Sequence, residues 1–140
     1  MMAEEYLKIE ITTPHKQWMF EEAKSCSAPG MLGRFQVLVH HAPLMSQLEI
    51  GELKIELPDG VRYFSLSGGF LEVKQNRVIL LLETCEAAEE IDVERAERAL
   101  QRAKKRLQER PPGLDVVRAE AALARAINRI KIAKKISQPA

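Results

Sequence analysis

The residues best suited to chemistry are arginines spaced along two segments near the end of the chain. Arg102 and Arg106 lie 7 and 11 residues after Arg95. At about 100 degrees per residue, the three arginines fall on one stripe of an α-helix. The same spacing recurs in Arg118, Arg125 and Arg129. Clustered guanidinium groups repel one another unless an anion with several oxygens lies between them, and their planar fork suits phosphate. One stripe alone is typical of a solvated face, but two facing stripes indicate a polyphosphate ligand.

The two arginine sets belong to an internal repeat. Residues 91–107 and 114–130 are identical at ten of 17 aligned positions. Between them, Pro111-Pro112-Gly113 is a stretch that a helix cannot cross. Each copy opens with an aspartate, Asp92 or Asp115, whose carboxylate can accept the free N–H groups of a first helical turn. The repeat therefore predicts two similar helices folded into an antiparallel hairpin.

Each predicted helix carries one narrow apolar seam at alternating spacings of three and four. The seams are Val93, Ala96, Leu100, Ala103 and Leu107 in the first helix, and Val116, Ala119, Leu123, Ala126, Ile130 and Ala133 in the second. Alanines allow close approach but limit the apolar area removed from water, which contributes about 25 cal/mol per Å². The sequence therefore predicts a marginally stable hairpin that can detach or rearrange.

The first part of the chain has the pattern of short strands. Leu7, Ile9 and Ile11 alternate with polar residues, which predicts a half-buried strand. Further strands are predicted at 18–23, 35–41, 52–57, 61–66 and 70–73, with a break at 67–69, a turn at 75–76 and a run at 78–82 buried on both faces. The predicted fold class is α+β. An N-terminal antiparallel β-sandwich or barrel (1–88) precedes a C-terminal antiparallel two-helix hairpin (89–140).

Charge divides the chain at the same place. Residues 1–90 contain 8 Lys and Arg against 14 Asp and Glu, a net −6, whereas residues 91–140 contain 13 against 6, a net +7. A basic segment favours an anionic partner, which could be nucleic acid, a membrane surface, a phosphate ligand or an acidic protein face. Nucleic acid is disfavoured, because the predicted hairpin has no aromatic residue for base stacking and the acidic half would repel a phosphate backbone.

Other classes of function lack the residues that they need. No apolar run of about 18 residues occurs, so we expect no membrane insertion. The two cysteines and three histidines show no metal-ligand spacing. No nucleophile has a base and an orienting acid around it, so the sequence predicts no catalytic residues and no enzyme.

Motifs outside the predicted hairpin complete a family pattern. They are Gly30-x-x-Gly33, His41-Ala42-Pro43-Leu44, Gly51 before the Leu53/Ile55 strand, and Ser67-Gly68-Gly69-Phe70-Leu71-Glu72-Val73. Together with the terminal hairpin they resemble the epsilon subunit of the F-type ATP synthase over nearly the whole chain. One stretch departs, because Leu38-Val39-His40 stands where the family commonly has a Pro-Gly turn. We expect a local change of loop there.

The resemblance implies a non-catalytic rotor subunit that requires no cofactor. Its β-sandwich would sit on the central stalk and contact the gamma subunit and the c-subunit ring, at the cytoplasmic face of the bacterial cell membrane. In bacterial members the hairpin acts as a brake on ATP hydrolysis. Folded, it permits hydrolysis; extended, it blocks rotation close to an acidic loop of the beta subunits.

Some members of the family bind ATP as a regulatory ligand through an Ile/Leu-Asp-x-x-Arg-Ala motif, which here is Ile91-Asp92-x-x-Arg95-Ala96. The resemblance implies that acids hold the adenosine end and arginines face the phosphates. The implied ATP-binding residues are Glu86, Ile91, Asp92, Arg95, Ala96, Arg102, Arg118, Arg125 and Arg129. Leu114-Asp115-x-x-Arg118-Ala119 also satisfies the motif, so capping and helix-forming residues can produce it unaided. The alternative is a purely structural rotor subunit without ATP sensing.

Overall fold

The computed structural model describes residues 5–137 and has the predicted α+β order. Its strands are β1 (Leu7–Thr12), β2 (Gln17–Ala23), β3 (Ser25–Gly30), β4 (Gly33–Leu38), β5 (Leu44–Leu57), β6 (Gly60–Lys74), β7 (Arg77–Leu82) and β8 (Cys85–Ala87). A single 3₁₀ turn (Ala88–Glu90) precedes α1 (Val93–Glu109) and α2 (Val116–Ser137). The chain divides into two compact units, the first ending at Glu86 and the second beginning at Ala87.

The strands form a β-sandwich whose hydrogen-bonded order is β2-β1-β7-β6-β5-β3-β4, with β8 also paired to β6. The long β5 and β6 pair from Leu44 opposite Val73 to Leu57 opposite Gly60. One pair departs from the predicted antiparallel pattern, because β1 and β7 run parallel. Alternate residues of these strands form the core, and its largest fully buried side chains include Leu7, Ile9, Ile11, Leu53, Ile55, Phe64, Leu66, Leu71 and Leu80.

The strand β3 was not predicted, because its residues Ser-Cys-Ser-Ala-Pro-Gly are typical of a loop. All six are buried or half-buried between β5 and β4. Pro29 is tolerated because the pairing of β3 with β5 shifts register between Ser27 and Gly30, where no ladder N–H is needed. Small residues therefore form this strand through their position and not through strand propensity.

Three predictions for the strands β5, β6 and β7 were wrong. The predicted break at 67–69 is continuous strand, in which Gly68 and Gly69 take φ angles of 118° and 143°. The run at 78–82 is not buried on both faces, because the side chain of Leu81 is 57% exposed. The strand β5 also begins at Leu44, well before the predicted residue 52.

The loop after β4 explains the departure from the family pattern at residues 38–40. The strand ends at Leu38, not at the predicted residue 41. His40 adopts a left-handed φ of 65°, a conformation that glycine takes without strain. Its backbone N–H donates to Asn76 Oδ1 at 2.6 Å, and its ring Nε2 contacts the carboxylate of Glu5. Contacts to two other segments thus hold a non-glycine residue in this turn.

Gly51 is required by the proline of the neighbouring strand. A Cβ added at Gly51 would lie 2.6 Å from Pro29 Cβ and 2.8 Å from Pro29 Cγ, inside van der Waals contact. We expect Gly51→Ala to lower the free energy of unfolding by about 2 kcal/mol, because one of the two strands must shift. Chemical denaturation measures this, with Gln47→Ala, exposed on the same strand, as the control.

The clash predicts coupling between the two positions. In a Pro29→Gly background the obstructing ring is gone, so Gly51→Ala should cost much less than it does in the parent chain. Equal costs in both backgrounds, or a Gly51→Ala variant as stable as Gln47→Ala, would contradict this account of the strand.

Candidate functional site

Both repeats begin with the predicted aspartate cap. Asp92 Oδ1 accepts the N–H of Arg95 at 3.1 Å, and Asp115 Oδ1 accepts the N–H of Arg118 at 3.0 Å. Each carboxylate thereby satisfies an orphan donor of a first helical turn. Capping explains the aspartate in both copies of the motif without a nucleotide.

The two helices are joined by a closely bonded turn. Arg110 ends α1 in a left-handed conformation, φ 44° and ψ 60°, and its N–H donates to the carbonyl oxygen of Arg106. The N–H of Leu114 donates to the carbonyl oxygen of Pro111 at 3.1 Å, and Gly113 has a φ of 82°. The prolines and these bonds fix where α2 starts relative to α1.

The seam between α1 and α2 is formed mainly by alanine. The buried seam residues are Ala96, Ala103, Ala119, Ala126 and Ala133. The larger seam residues Leu100, Leu107, Leu123 and Ile130 are only half-buried. Val93 was placed in the seam by its spacing, but its side chain is 37% exposed at the first turn.

One buried residue of α2 was missed. Ile132 is fully buried although it lies outside the predicted seam. The helix α2 packs against the 3₁₀ turn as well as against α1. A periodicity argument that assumes one neighbour per helix cannot find a residue on a second packed face.

A cleft of about 550 Å³, here called the turn cleft, lies where the two helices meet their connecting turn. It is lined by Arg106, Pro111, Pro112, Gly113, Leu114, Asp115, Arg118, Ala119, Ala122 and Arg125. Two of the predicted ATP-binding residues, Arg118 and Arg125, therefore share one cleft. Arg106 shares it too, and its place on the arginine stripe was the sequence signal, although it was not among the predicted ligands.

A second cleft of about 710 Å³, the helix groove, is lined by Glu94, Glu97, Arg98, Leu100, Gln101, Arg102, Ile130 and Lys134. It contains the predicted ligand Arg102, separately from Arg118 and Arg125. Its rim carries both signs of charge around Leu100 and Ile130. Arg95 and Arg129 are not among the residues that line either cleft.

The other predicted ligand residues differ in exposure. Ile91 and Ala96 are 9% and 2% exposed, so their side chains serve packing first. Glu86 is half-buried on β8 and belongs to the first compact unit. Arg129 is half-buried, whereas Asp92, Arg95, Arg102, Arg118 and Arg125 are exposed.

The exposed arginines lack carboxylate partners. Within residues 5–136, no ion pair with an N···O distance up to 4.0 Å involves Arg95, Arg102, Arg106, Arg118 or Arg125. The nearest acid in the turn cleft is Asp115, whose Oδ1 already accepts a backbone N–H. The positive charge of the cleft is therefore not neutralised from within this part of the chain.

Other kinds of site are not found in the described residues. No group of three or more His, Cys, Asp or Glu comes together among them to hold a metal. Both cysteines are buried, and burial raises the pKa of Cys26 to about 12 despite the opposing charge of Arg34. None of the helices in that part of the chain is long and apolar enough to cross a membrane.

The described residues define a fold class in which a β-sandwich of eight strands is followed by two packed C-terminal helices. Residues 6–88 match the family described as ATP synthase, Delta/Epsilon chain, beta-sandwich domain, and residues 89–134 match its long alpha-helix domain. The chain belongs to the epsilon chains of this ATP synthase family, which are non-catalytic subunits.

Similar proteins span most of the chain. The ATP synthase epsilon chain of Carboxydothermus hydrogenoformans is 47% identical over 76% of this chain and 79% of its own length. That of Syntrophobacter fumaroxidans is 43% identical over 94% of this chain and 98% of its own. A chain in the mitochondrial ATP synthase of Euglena gracilis, solved with OSCP, F1 and the c-ring, has the same fold with a TM-score of 0.75. It is 24% identical and is covered over 81% of its length, against 93% of this chain.

Proposed function

We propose that the chain is a central-stalk subunit of a bacterial F-type ATP synthase, coupling proton translocation to ATP synthesis and restraining ATP hydrolysis through its helical hairpin. The observation that carries the proposal is a thin alanine seam flanked by exposed arginines (Arg95, Arg102, Arg106, Arg118 and Arg125) that form no ion pair within residues 5–136. Such an element is held weakly by its own packing and strongly attracts anionic partners. Both properties suit a brake that changes position.

The partners follow from the family and from charge. The β-sandwich would contact the gamma subunit and the c-subunit ring, as a peripheral part of the complex on the cytoplasmic face of the cell membrane. The similar Euglena chain belongs to an assembly that contains a c-ring. The extended hairpin would reach acidic segments of the beta subunits, and its net +7 is the charge that such a contact requires.

ATP is the proposed regulatory ligand of the folded hairpin. In this proposal Glu86 and Asp92 hold the adenosine end, while the predicted arginines bind the phosphates. Support comes from the shared cleft of Arg118 and Arg125, neither of which forms an ion pair with any residue whose side chain the structure describes. Asp92 keeps its second carboxylate oxygen for a ligand while Oδ1 caps the helix.

The energetics of sensing require two states of similar free energy. A ligand at ten times its dissociation constant stabilises the form that binds it by only about 1.4 kcal/mol. A hairpin closed by leucines on every turn would outweigh that contribution. A seam whose buried residues are mostly alanine contributes less to the folded form, so a ligand contribution of this size can shift the balance between the folded and extended forms.

The alternative is a purely structural rotor subunit. It is favoured by the capping of both aspartates, since Asp115 satisfies the same motif as Asp92 with the same hydrogen bond. In that case the hairpin would have no nucleotide dependence.

Calorimetric titration of the full chain with ATP tests the sensor. We expect saturable binding that Arg95→Gln and Arg125→Gln each weaken roughly tenfold, because a charge-assisted hydrogen bond to phosphate is lost. Lys104→Gln removes one positive charge about 180 degrees around α1 from the arginine stripe, at an exposed residue that lines neither cleft, and should leave the affinity unchanged. Absence of heat and of competition at millimolar ATP would exclude the sensor.

ATP hydrolysis by the assembled complex tests the brake. We expect a complex whose epsilon chain lacks residues 91–140 to hydrolyse ATP faster than the intact complex, because the blocking helices are gone. Restoring the hairpin should restore the slower rate. Equal hydrolysis rates with and without the hairpin would exclude the brake and support the purely structural subunit.

A further inference from the structure

We propose that Ile132 and the 3₁₀ turn (Ala88–Glu90) form a latch, which holds the C-terminal half of α2 in the closed hairpin in addition to the alanine seam. The latch deepens the proposed function, because it assigns control of hairpin opening to a contact outside the arginine stripes, and to that extent it rests on that function. The contact itself can be tested in the full chain alone, without ATP and without the assembled complex.

The first argument is the burial of Ile132. Its side chain is fully buried and is among the largest side chains of the described residues in that state. The others in that group all lie between Leu7 and Leu80, in the β-sandwich. Because the seam buries mainly alanines, Ile132 is the largest fully buried side chain among the described residues of the two helices.

The second argument is the direction in which Ile132 points. At about 100 degrees per residue, it lies roughly 140 degrees around α2 from Ala119, which belongs to the seam. Ala121, Asn128 and Lys135 lie on the same side of the helix as Ile132, and all three are half-buried. The helix α2 therefore has a second covered stripe on the side away from its seam with α1.

The third argument is the neighbour available to cover that stripe. The 3₁₀ turn comes just before α1 in the chain, yet it packs against α2. Ala87, Ala88 and Ile91 are buried there. The N–H of Ile91 donates to the carbonyl oxygen of Ala88 at 3.4 Å, which closes the turn. Small apolar side chains in a closed turn provide a surface that suits a buried isoleucine.

The hairpin sets the level at which the turn meets α2. The helix groove is lined by Glu94 at the start of α1 together with Ile130 and Lys134 near the end of α2. Since the 3₁₀ turn directly precedes the start of α1, it meets α2 at that same level. Ile132 lies between Ile130 and Lys134, so the turn covers Ile132 on the side away from the seam.

The latch changes what hairpin opening requires. Parting the alanine seam alone would release α1 from α2 but leave α2 attached to the 3₁₀ turn. Full extension also requires Ile132 to leave its buried position, and this exposes a whole isoleucine side chain to water. The latch therefore favours the closed form, which permits hydrolysis under the proposed function.

Hydrogen exchange of the full chain tests the latch without nucleotide. We expect Ile132→Ala to speed exchange of the α2 amides and of the amides at 88–91 by roughly thirtyfold or more, because a large buried side chain is removed. Ile132→Val removes one methylene and should speed the same amides only severalfold. Ile127→Ala is the matched control, the same substitution on the same helix at a side chain that is 49% exposed, and should not speed them. The amides of β5 and β6 report that the β-sandwich stays folded in each variant.

ATP hydrolysis by the assembled complex then separates the latch from the brake. If Ile132→Ala speeds exchange and also slows hydrolysis, both proposals are supported, because the hairpin extends more often. Faster exchange with unchanged hydrolysis would support the latch and count against the brake. The latch would be overturned if Ile132→Ala sped exchange in α2 no more than Ile127→Ala does, or if it sped exchange in α2 and left the amides at 88–91 unaffected.

Discussion

The constraint on which the second half of this molecule depends is the packing of two arginine-rich helices, whose like charges repel, on a narrow seam of small side chains. Six exposed arginines of α1 and α2 lack ion-pair partners within residues 5–136: Arg95, Arg98, Arg102, Arg106, Arg118 and Arg125. The seam between the same helices encloses mainly alanine side chains. Each buried methylene contributes about 0.8 kcal/mol, so an alanine seam contributes less than a leucine seam would. Under the proposed function, an anion that neutralises the arginines would favour the closed hairpin.

The two compact units differ in how they are stabilised. The β-sandwich encloses large apolar side chains such as Phe64, Leu71 and Leu80, and the β5–β6 pairing keeps its register on both sides of Gly68. Its packing is also tight locally, because Pro29 leaves no room for a side chain at position 51 and only glycine fits there. Under the proposed function, the firmly packed β-sandwich would be the part fixed to the central stalk, and the marginally packed hairpin would be the part that moves.

Much of the architecture could be predicted from the sequence, and the failures have definite causes. Periodicity found β1 and both helices, and the aspartates marked the starts of the helices. Periodicity could not find β3, whose small residues form a strand only between two neighbours, nor the burial of Ile132, which lies outside the predicted seam of α2. At the site, helical spacing grouped six arginines. Which of them share a cleft depends on how the turn at Pro111 sets α2 against α1, and only the structure separates Arg106, Arg118 and Arg125 from Arg102.

Hydrogen exchange of the full chain, with and without saturating ATP, measures most directly whether charge neutralisation holds the hairpin closed. The account predicts that exchange of the amides in α1 and α2 slows in ATP, while exchange in β5 and β6 stays the same, because only the marginal unit gains from the ligand. ATP that leaves exchange in both helices unchanged, or that slows the helices and the β-sandwich equally, would contradict it.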